Sequence, residues 1–339
     1  MDRRRKVLVM GASGNVGACV TRQLVERGDD VRVLLRRSSS TKGIEGVEVE
    51  RCYGDIFDTE AVAAAMADRD VVFYCVVDTR AHLADPTPLF NTNVEGLRNV
   101  LDVAVSADLQ RFVFLSTIGT IALGDDGATV DEDTPFNWGG KGGPYIESRR
   151  QAEDLVLSYA RERGLPAVAM CVSNPYGPPD WQPKQGALVA MAAFGQLPVY
   201  VRGAGSEVVG IDDAADALIR AADRGRIGER YIVSERYMSQ REMFTTAAQA
   251  VGARPPRFGI PMAPLYAFGW LAGLSNRLFG TDFPMNLTAA RLMWLTSPAD
   301  HGKATRDLGW KPAPTTESIC RAAQFYVDRK SRNEKVIDL

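Results

Sequence analysis

The sequence predicts an α/β protein in which helices cover both faces of a doubly wound parallel β-sheet, followed by a smaller, mostly helical C-terminal lobe. Short β-branched runs alternate with helical patterns through the first half of the chain, which is typical of a parallel sheet covered by helices. From about Pro178 the alternation breaks up, and proline, aromatic and apolar loop residues become frequent. We therefore expect a sheet domain over residues 1–177, with returns near 208–222 and 229–236, and a substrate lobe over residues 178–339.

Each predicted element follows from its local pattern. The first helix ends at Gly28, because glycine readily takes the left-handed conformation that closes many helices. Ser239 and Glu242 have the spacing of a capping box, which predicts a helix beginning there. The predicted strands are 6–10, 31–35, 47–53, 71–77, 111–116 and 167–172, and the predicted helices include 15–27, 59–66, 89–106 and 145–163.

Composition and charge exclude several classes of protein. The 339 residues carry 40 basic and 42 acidic side chains, so the overall charge does not favour nucleic acid or an anionic membrane as a partner. The five cysteines lie far apart without a CxxC pair, and there are only two histidines. This pattern excludes a zinc framework, predicts no metal and indicates a reducing compartment. The basic start precedes only four apolar residues and a glycine loop, which predicts a cytoplasmic protein.

The stretch 258–276 carries no charge over 19 residues. Its prolines, Pro261 and Pro264, and its three glycines disfavour a membrane-spanning helix. An apolar pocket wall or a helix resting on a membrane surface explains the composition better. Peripheral membrane contact through 258–276 is therefore one of two open interpretations of this segment.

A glycine-rich loop follows the first predicted strand and opens the first helix. The backbone amides and positive helix end at such a loop hold a pyrophosphate. Gly11 and Gly14 leave room for the turn and the ligand, and Gly17 lets helix and strand approach closely. The strand, loop, helix and second strand together predict a Rossmann-type dinucleotide site. Its loop contacts are Gly11, Ser13, Gly14, Asn15, Val16 and Gly17.

The end of the second strand indicates which nicotinamide cofactor binds. An acidic residue there accepts from the ribose 2′-hydroxyl of NAD, whereas a cation accommodates the 2′-phosphate of NADP. This chain has Arg36 and Arg37 followed by serines and no carboxylate, which favours NADP(H) and leaves NAD open. After the third strand, Asp55 either accepts from the adenine amino group, with Ile56 against the ring, or caps the next helix.

Three further segments accompany the glycine loop: NVEGLRNV (93–100) on a helix, FLSTIGT (114–120) closing a strand and YIESR (145–149) opening a helix. Together they resemble the extended short-chain dehydrogenase/reductase superfamily, which contains the NAD-dependent epimerases and dehydratases, over nearly the whole chain. The resemblance implies an enzyme that moves a hydride between a nicotinamide and a hydroxyl or carbonyl carbon.

The resemblance also implies roles for individual residues. Tyr145 is the proton donor or acceptor at the reacting oxygen, and Arg149 occupies the position of the cation that holds the nicotinamide ribose. Thr117 best matches the hydroxyl that orients the substrate oxygen, and Ser116 is the neighbouring alternative. The remaining implied cofactor contacts are Val76, Val77 and Pro175.

Tyr145 and Arg149 lie four residues apart and therefore share one face of a helix. A cation at about 4 Å in an effective dielectric near 20 contributes roughly 4 kcal/mol, enough to lower the phenol pKa by some units. The family has lysine where this chain has Arg149, and arginine cannot hand on a proton. Both a working enzyme with an atypical Tyr-x-x-x-Arg motif and a non-catalytic cofactor-binding sensor therefore stay open.

Segments 210–215, 225–232 and 307–312 resemble the 3β-hydroxysteroid dehydrogenase, dihydroflavonol reductase and hopanoid-associated epimerase-like branch. That branch implies a sterol, flavonoid, terpenoid or activated-sugar substrate. The apolar region 258–295, with Trp270, Phe279, Phe283 and Trp294, favours a hydrophobic polycyclic substrate over a nucleotide-sugar, although an aromatic core explains these residues nearly as well.

Two further expectations follow from the resemblance. The alternative enzyme is a nucleotide-sugar epimerase or dehydratase with tightly held NAD, and a phosphate-binding Arg202 or Arg241 in the second lobe would support it. Relatives often pair through the helix that carries the tyrosine, which implies a homodimer.

Overall fold

The computed structural model describes residues 4–181, 183, 186–279, 287–292 and 295–337. Its strands are β1 (Lys6–Met10), β2 (Asp30–Leu35), β3 (Glu50–Tyr53), β4 (Val71–Tyr74), β5 (Arg111–Thr117), β6 (Ala167–Val172), β7 (Asn174–Tyr176), β8 (Val199–Val201), β9 (Gly205–Gly210), β10 (Arg230–Val233), β11 (Arg236–Ser239) and β12 (Phe258–Ile260).

The helices alternate with these strands in the first half of the chain and dominate the second. They are α1 (Asn15–Glu26), α2 (Thr59–Met66), α3 (Thr87–Phe90), α4 (Gly96–Ser106), α5 (Gly143–Arg163), α6 (Ala187–Ala193), α7 (Ile211–Arg224), α8 (Gln240–Ala250), α9 (Ala263–Phe279), α10 (Leu287–Leu292), α11 (Gly302–Leu308) and α12 (Thr315–Ser331).

Seven parallel strands form the main sheet in the order β10-β6-β5-β4-β1-β2-β3. The chain first runs outward from β1 to β3 and then returns to the other side of β1 at β4. Such a reversal opens a crevice at the carboxyl ends of the two central strands, where ligands bind in sheets of this kind. The predicted α/β class with a doubly wound parallel sheet is confirmed.

Helices bury both faces of this sheet. On β1, Val7 and Val9 point into one core with residues of α1, α7 and α11, while Leu8 and Met10 point into the other with residues of α2, α4 and α5. Because both faces of the sheet are buried, the strand sequences are continuous apolar runs and do not alternate between apolar and polar residues.

The second lobe has its own small core. Strands β11, β9 and β7 form a three-stranded sheet, and β12 pairs with β8. Helices α6, α8 and α12 pack together over side chains such as Val189, Phe244 and Tyr326. This confirms the mostly helical character of the C-terminal part.

The two expected returns to the main sheet differ. Strand β10 joins β6 in parallel, as predicted. The segment near 208–222 does not add a strand to the main sheet, because β9 pairs with β7 and β11; it is helix α7 that comes back, packing against α1. Local caps follow the prediction: Gly28 has φ +89°, and the Ser239 hydroxyl accepts from the Glu242 amide at 3.2 Å.

Some predicted bounds are wrong. Strand β4 ends at Tyr74 instead of residue 77, because the Asp78 amide bonds to the Asn93 side chain at 2.8 Å and not to a neighbouring strand. Strand β3 begins at Glu50, three residues later than predicted. The predicted helix 89–106 is divided by a π-helical turn over Asn91–Glu95. Among the described residues, no helix combines the length and the apolar character needed to cross a bilayer.

Candidate active site and cofactor cleft

The glycine loop between β1 and α1 is held by backbone contacts. Gly11 has φ +89°, and a Cβ built on it would lie 2.6 Å from the Cys75 carbonyl carbon at the end of β4. A Cβ on Gly17 would lie 2.3 Å from the Gly11 oxygen, and the Gly14 amide donates to that oxygen at 3.0 Å. Side chains at Gly11 and Gly17 are therefore excluded by backbone that has no room to move.

The tip of this loop is open to solvent, although the Gly14 amide is paired with the Gly11 oxygen. Ser13 and Gly14 are exposed, and no side chain caps the amino end of α1. Unpaired amides at a helix start attract an anion, so the loop fits the predicted pyrophosphate. Val16 is half-buried in the first turn.

Asn15, the first residue of α1, has its side chain engaged elsewhere. Its Nδ2 donates to Asp180 Oδ1 at 2.5 Å, and the Tyr326 hydroxyl donates to Asp180 Oδ2 at 2.6 Å. Burial raises the pKa of Asp180. This junction ties α12 to the glycine loop, and it leaves only the Asn15 backbone for a phosphate. No sequence motif marked Asp180 or Tyr326.

Arg36 and Arg37 are both exposed directly after β2. The Arg37 guanidinium lies 5.4 Å from the centre of the Tyr53 ring, whereas the Arg36 side chain forms no hydrogen bond, ion pair or cation–π contact with another described residue. The two arginines therefore differ in their contacts: the Arg37 guanidinium is stacked on a ring, and the Arg36 guanidinium is not.

Asp55 and Ile56 follow β3 and are half-buried. Asp55 Oδ1 accepts from the Phe57 amide at 3.1 Å, and Asp58 caps α2 by accepting from Ala61 at 3.0 Å. The helix-capping alternative for Asp55 is therefore wrong. The Ile56 side chain lies against Gly96 of α4, where an added Cβ would come within 2.4 Å.

The three remaining predicted cofactor contacts, Val76, Val77 and Pro175, differ in where the structure places them. The Val76 amide is 2.9 Å from a Cβ built on Gly11, and the next residue, Val77, is exposed. Pro175 lies in β7, paired in register with Val209 of β9, and its position relative to the glycine loop is set by that second sheet.

Tyr145 lies in the first turn of α5 and is half-buried. The Thr117 side chain, at the end of β5, lies near enough to the Tyr145 hydroxyl for a hydrogen-bonding interaction that lowers the phenol pKa. Burial raises the pKa of Tyr145, while the Arg149 charge and the Thr117 hydrogen bond lower it, and burial has the larger effect. The expectation of a lowered phenol pKa is therefore wrong, because loss of water around the phenolate outweighs the nearby cation.

Arg149 is almost completely buried, at 1% exposure. Its Nη2 donates to the Leu115 carbonyl, and its guanidinium carbon lies 5.0 Å from the centre of the Phe114 ring. Burial lowers the pKa of Arg149. Its Nε and Nη1, together with the buried Tyr74 hydroxyl, find no hydrogen-bond partner among the described residues. Unpaired buried donors are costly, so this cluster is suited to ligand oxygens or water.

Ser116 points away from the predicted chemistry. Its hydroxyl donates to the buried Glu153 carboxylate, which also accepts from Thr120 at 2.7 Å and from Cys171 at 3.2 Å. Arg230 of β10 neutralises Glu153 from 3.0 Å. Of the two hydroxyls considered for the substrate oxygen, only Thr117 reaches Tyr145, and Ser116 belongs to a buried network beneath it. No sequence pattern marked Glu153 as part of the site.

Asn93 positions the start of α5. It is buried, and its Nδ2 donates to the Asp78 carbonyl and to the Ser148 hydroxyl, both at 3.0 Å. Ser148 in turn donates to the Tyr145 carbonyl at 2.8 Å. The sequence predicted no individual role for Asn93, the first residue of the segment 93–100. In the structure it links the loop after β4 to the first turn of α5, which carries Tyr145.

The residues present fit a pyridine dinucleotide at both ends. The glycine loop offers a cradle that side chains would fill, and Arg149 with Tyr74 offers unpaired buried donors at the carboxyl ends of β4 and β5. Across the described part of the chain, no three His, Cys, Asp or Glu side chains cluster as metal ligands would.

The two arginines of the second lobe that were predicted to bind a nucleotide-sugar diphosphate already contact other residues. Arg202 Nε donates to the Gly259 carbonyl at 2.6 Å, and Arg241 lies 5.7 Å from the centre of the Tyr200 ring. Trp270 is exposed on α9 and so is not part of an aromatic core. Phe283, Trp294 and the Phe279 side chain lie outside the described residues.

Comparison with known proteins supports these assignments at the level of family and fold. Sterol demethylase protein B of Methylococcus capsulatus is 28% identical over 95% of this chain and 98% of its own length. The dTDP-glucose 4,6-dehydratase of Mycobacterium tuberculosis is 31% identical over 68% of this chain and 72% of its own. The crystal structure of gox2253 superposes with a TM-score of 0.84 and 31% identity, covering 98% of this chain and 100% of that one.

The model of the NAD dependent epimerase/dehydratase family matches residues 7–234, which is the span that carries the glycine loop, the Thr117 strand end, and the Tyr145 and Arg149 helix. More than half of the chain is covered. The protein therefore belongs to the NAD dependent epimerase/dehydratase family, within the extended short-chain dehydrogenases/reductases.

Proposed function

We propose that the protein is an NADP(H)-dependent oxidoreductase acting on a hydroxyl or carbonyl group of a hydrophobic small molecule of sterol, terpenoid or flavonoid type. The observation that carries this proposal is the proximity of the Tyr145 phenol to the Thr117 side chain at the end of β5, with the Arg149 charge one turn away. A proton donor and an orienting hydroxyl thus converge beside the end of the glycine-loop crevice.

When bound, NADP(H) supplies or accepts the hydride. In the reducing direction, Tyr145 donates its phenolic proton to the substrate oxygen while the Thr117 hydroxyl orients that oxygen. The raised pKa of Tyr145 keeps this proton in place at neutral pH. In the oxidising direction, the phenolate must form first, so oxidation gains rate as the pH rises toward the Tyr145 pKa.

The cofactor preference rests on the end of β2. Arg36 is exposed there without a recorded side-chain contact among the described residues, and the turn has no carboxylate to accept from an NAD ribose. A guanidinium pairs with a 2′-phosphate through charge-assisted hydrogen bonds. These features favour NADP(H) over NAD.

The substrate class rests on apolar character. The 28% identical relative bears the name sterol demethylase protein B, and the segment 258–276 is free of charge. A polycyclic substrate needs such apolar surroundings with a few polar groups to orient it.

The decisive test is turnover of NADPH with a 3-ketosteroid, followed at the nicotinamide absorbance. We expect Tyr145→Phe to lower kcat by about 10²–10⁴-fold, the usual contribution of a positioned acid/base. Tyr159→Phe is the matched control: it lies on the same helix with its hydroxyl on Asp102 at 2.8 Å, and we expect its rate to stay near that of the wild type.

Two results would contradict the proposal. Equal rates for Tyr145→Phe and wild type would remove Tyr145 from the chemistry. Tight NADPH binding without turnover of any steroid, flavonoid or terpenoid ketone would instead favour the sensor alternative that the arginine at position 149 suggests.

The second candidate is a nucleotide-sugar epimerase or dehydratase. The 31% identical dTDP-glucose 4,6-dehydratase favours it. Arg202 and Arg241 are the cations available for a diphosphate, although each already contacts its own lobe. Conversion of dTDP-glucose or UDP-glucose with added NAD, and no ketosteroid reduction, would establish this candidate in place of the first.

A further inference from the structure

Helix α9 exposes an apolar stripe. Trp270, Leu271, Leu274 and Leu278 are 57%, 56%, 39% and 64% exposed, and Ala263 and Ala267 are exposed beside them. At 3.6 residues per turn, these six positions fall within an arc of about 100°. Single exposed apolar side chains are common, but a contiguous stripe of this kind marks a surface that contacts something else.

The opposite side of the helix is already occupied. Gly269, Ala272 and Asn276 are buried, and they lie across the helix from the stripe, as their spacing requires. Helix α9 is therefore fixed to the protein by one side and presents the apolar side outward. It has 17 residues, so it is suited to lying along an interface and too short to span a bilayer.

The charge of the surrounding segment is one-sided. Between Met243 and Thr281 the sequence holds three arginines, Arg254, Arg257 and Arg277, and no acidic residue. The side chains of Arg254 and Arg257 are exposed in the segment that leads into α9, and Phe258 beside them is also exposed. Basic side chains around an apolar stripe complement an anionic lipid surface, although the whole chain carries a charge of only −2.

Helix α9 is linked to the start of α5 through helix α10. Helix α9 packs against α10, and Thr288 of α10 lies so close to Gly143 that a Cβ there would be 2.5 Å from the Thr288 Cγ2. Gly143 begins α5, two residues before Tyr145. Helix α10 therefore contacts both the helix that carries the stripe and the start of the helix that carries Tyr145.

We propose that the exposed side of α9 docks on the surface of an anionic lipid bilayer, with Trp270 and the three leucines in the acyl boundary and Arg254 and Arg257 at the headgroups. In that orientation the start of α5 faces the interface, and an apolar substrate reaches Tyr145 from the bilayer without crossing water. Only this last consequence rests on the proposed function; the docking itself does not depend on which reaction the protein catalyses.

The test is co-sedimentation of the full-length protein with vesicles of phosphatidylglycerol and, separately, of phosphatidylcholine. We expect binding to phosphatidylglycerol that weakens with salt and is several-fold stronger than binding to phosphatidylcholine. Leu271→Ser, Leu274→Ser and Leu278→Ser combined should lower partitioning by about tenfold or more, because three apolar side chains no longer enter the interface. Since these side chains point outward, the variant should fold normally.

Ile227→Ser is the matched control, because Ile227 is 56% exposed, as Leu271 is, and lies away from α9 between α7 and β10. It should bind vesicles as the wild type does. Arg254→Gln with Arg257→Gln should lower binding to phosphatidylglycerol alone and flatten its salt dependence. This second variant leaves the apolar stripe intact.

Three outcomes would overturn the proposal. The first is that the wild type does not sediment with phosphatidylglycerol vesicles, and the second is that the triple leucine variant sediments with them as fully as the wild type does. In the third, the triple variant changes a lipid-free oligomer into a monomer, which would assign the stripe to contact between copies of this chain. None of these depends on NADPH turnover, so failure here is distinguishable from failure of the proposed reaction.

Discussion

The two ends of the cleft are built in different ways. At the glycine loop, the close contacts join backbone to backbone: Gly11 lies against Cys75, and Gly17 against the Gly11 carbonyl. At the tyrosine end, the contacts join side chains from distant elements, with Arg149 over Phe114 and Glu153 receiving Ser116 and Arg230. The glycine loop has no space for a side chain at Gly11 or Gly17, whereas the tyrosine end can keep its geometry with different side chains.

This difference bears on position 149, where the resemblance implies a lysine. Arg149 places a long, planar cation in the core, and the structure accommodates it through the Leu115 carbonyl and the Phe114 ring. A side-chain network can adjust to a new member in this way. A backbone cradle cannot, because an added Cβ meets atoms that have no alternative rotamer.

The largest expected effect tests the backbone end. Gly17→Ala places a Cβ 2.3 Å from the Gly11 oxygen, so we expect a loss of about 3 kcal/mol or more in the free energy of unfolding and loss of NADPH binding. Chemical denaturation and cofactor fluorescence measure the two quantities.

Gly14→Ala is the control in the same loop. Its Cβ would meet only the Gly11 oxygen, at 3.5 Å, and its φ of −87° suits any residue. We expect the free energy of unfolding to change by less than about 1 kcal/mol. Similar losses in both variants would show that the loop is not held by the backbone contacts described above.

An intermediate effect tests the side-chain end. Arg149→Met removes the charge that lowers the Tyr145 pKa, so that pKa rises further and the rate of alcohol oxidation should begin to rise only at higher pH. We expect kcat at neutral pH to fall about 10-fold or more, whereas Arg149→Lys keeps a cation and should hold the pH profile near that of the wild type. A pH profile unchanged in Arg149→Met would show that the guanidinium does not act on the phenol.

The smallest expected effect concerns the two exposed arginines. Arg36→Ala should raise the KM for NADPH about tenfold, the loss expected for one charge-assisted hydrogen bond, and leave the KM for NADH unchanged. Arg37→Ala is the matched comparison, and we expect a weaker effect because that guanidinium already lies on the Tyr53 ring. Equal weakening of NADPH and NADH by Arg36→Ala would refute the assignment of a 2′-phosphate contact.

A second pair of regions carries the same lesson at the surface. Helices α9 and α12 both have 17 residues, yet α12 exposes Glu317, Arg321 and Asp328 to water, while α9 exposes tryptophan and leucine. The sequence indicated an apolar segment at 258–276 but left a pocket wall and a surface helix equally open. Only the packing of Ala272 and Asn276 decides which side of α9 faces outward.

Much of the fold followed from local pattern alone. Strand β1, strand β6 and helix α2 have the predicted bounds, because apolar runs of that length between turn residues have one compatible conformation. The sequence did not predict that strand β4 ends at Tyr74 or that a π-helical turn divides helix 89–106, and it did not predict the hydrogen bond from the Asp78 amide to the Asn93 side chain. Such a contact between distant residues leaves no local signal.

The sequence by itself determined the order of elements, the glycine cradle, and the pairing of a tyrosine with a cation one turn later, since each depends on neighbours along the chain and on backbone geometry. Tertiary structure alone decided that Ser116 serves Glu153 while Thr117 serves Tyr145, that Asp180 links α12 to the loop, and that burial outweighs the Arg149 charge at the phenol. These outcomes depend on which side chains lose their water together, and desolvation is a property of the folded interior that no residue carries alone.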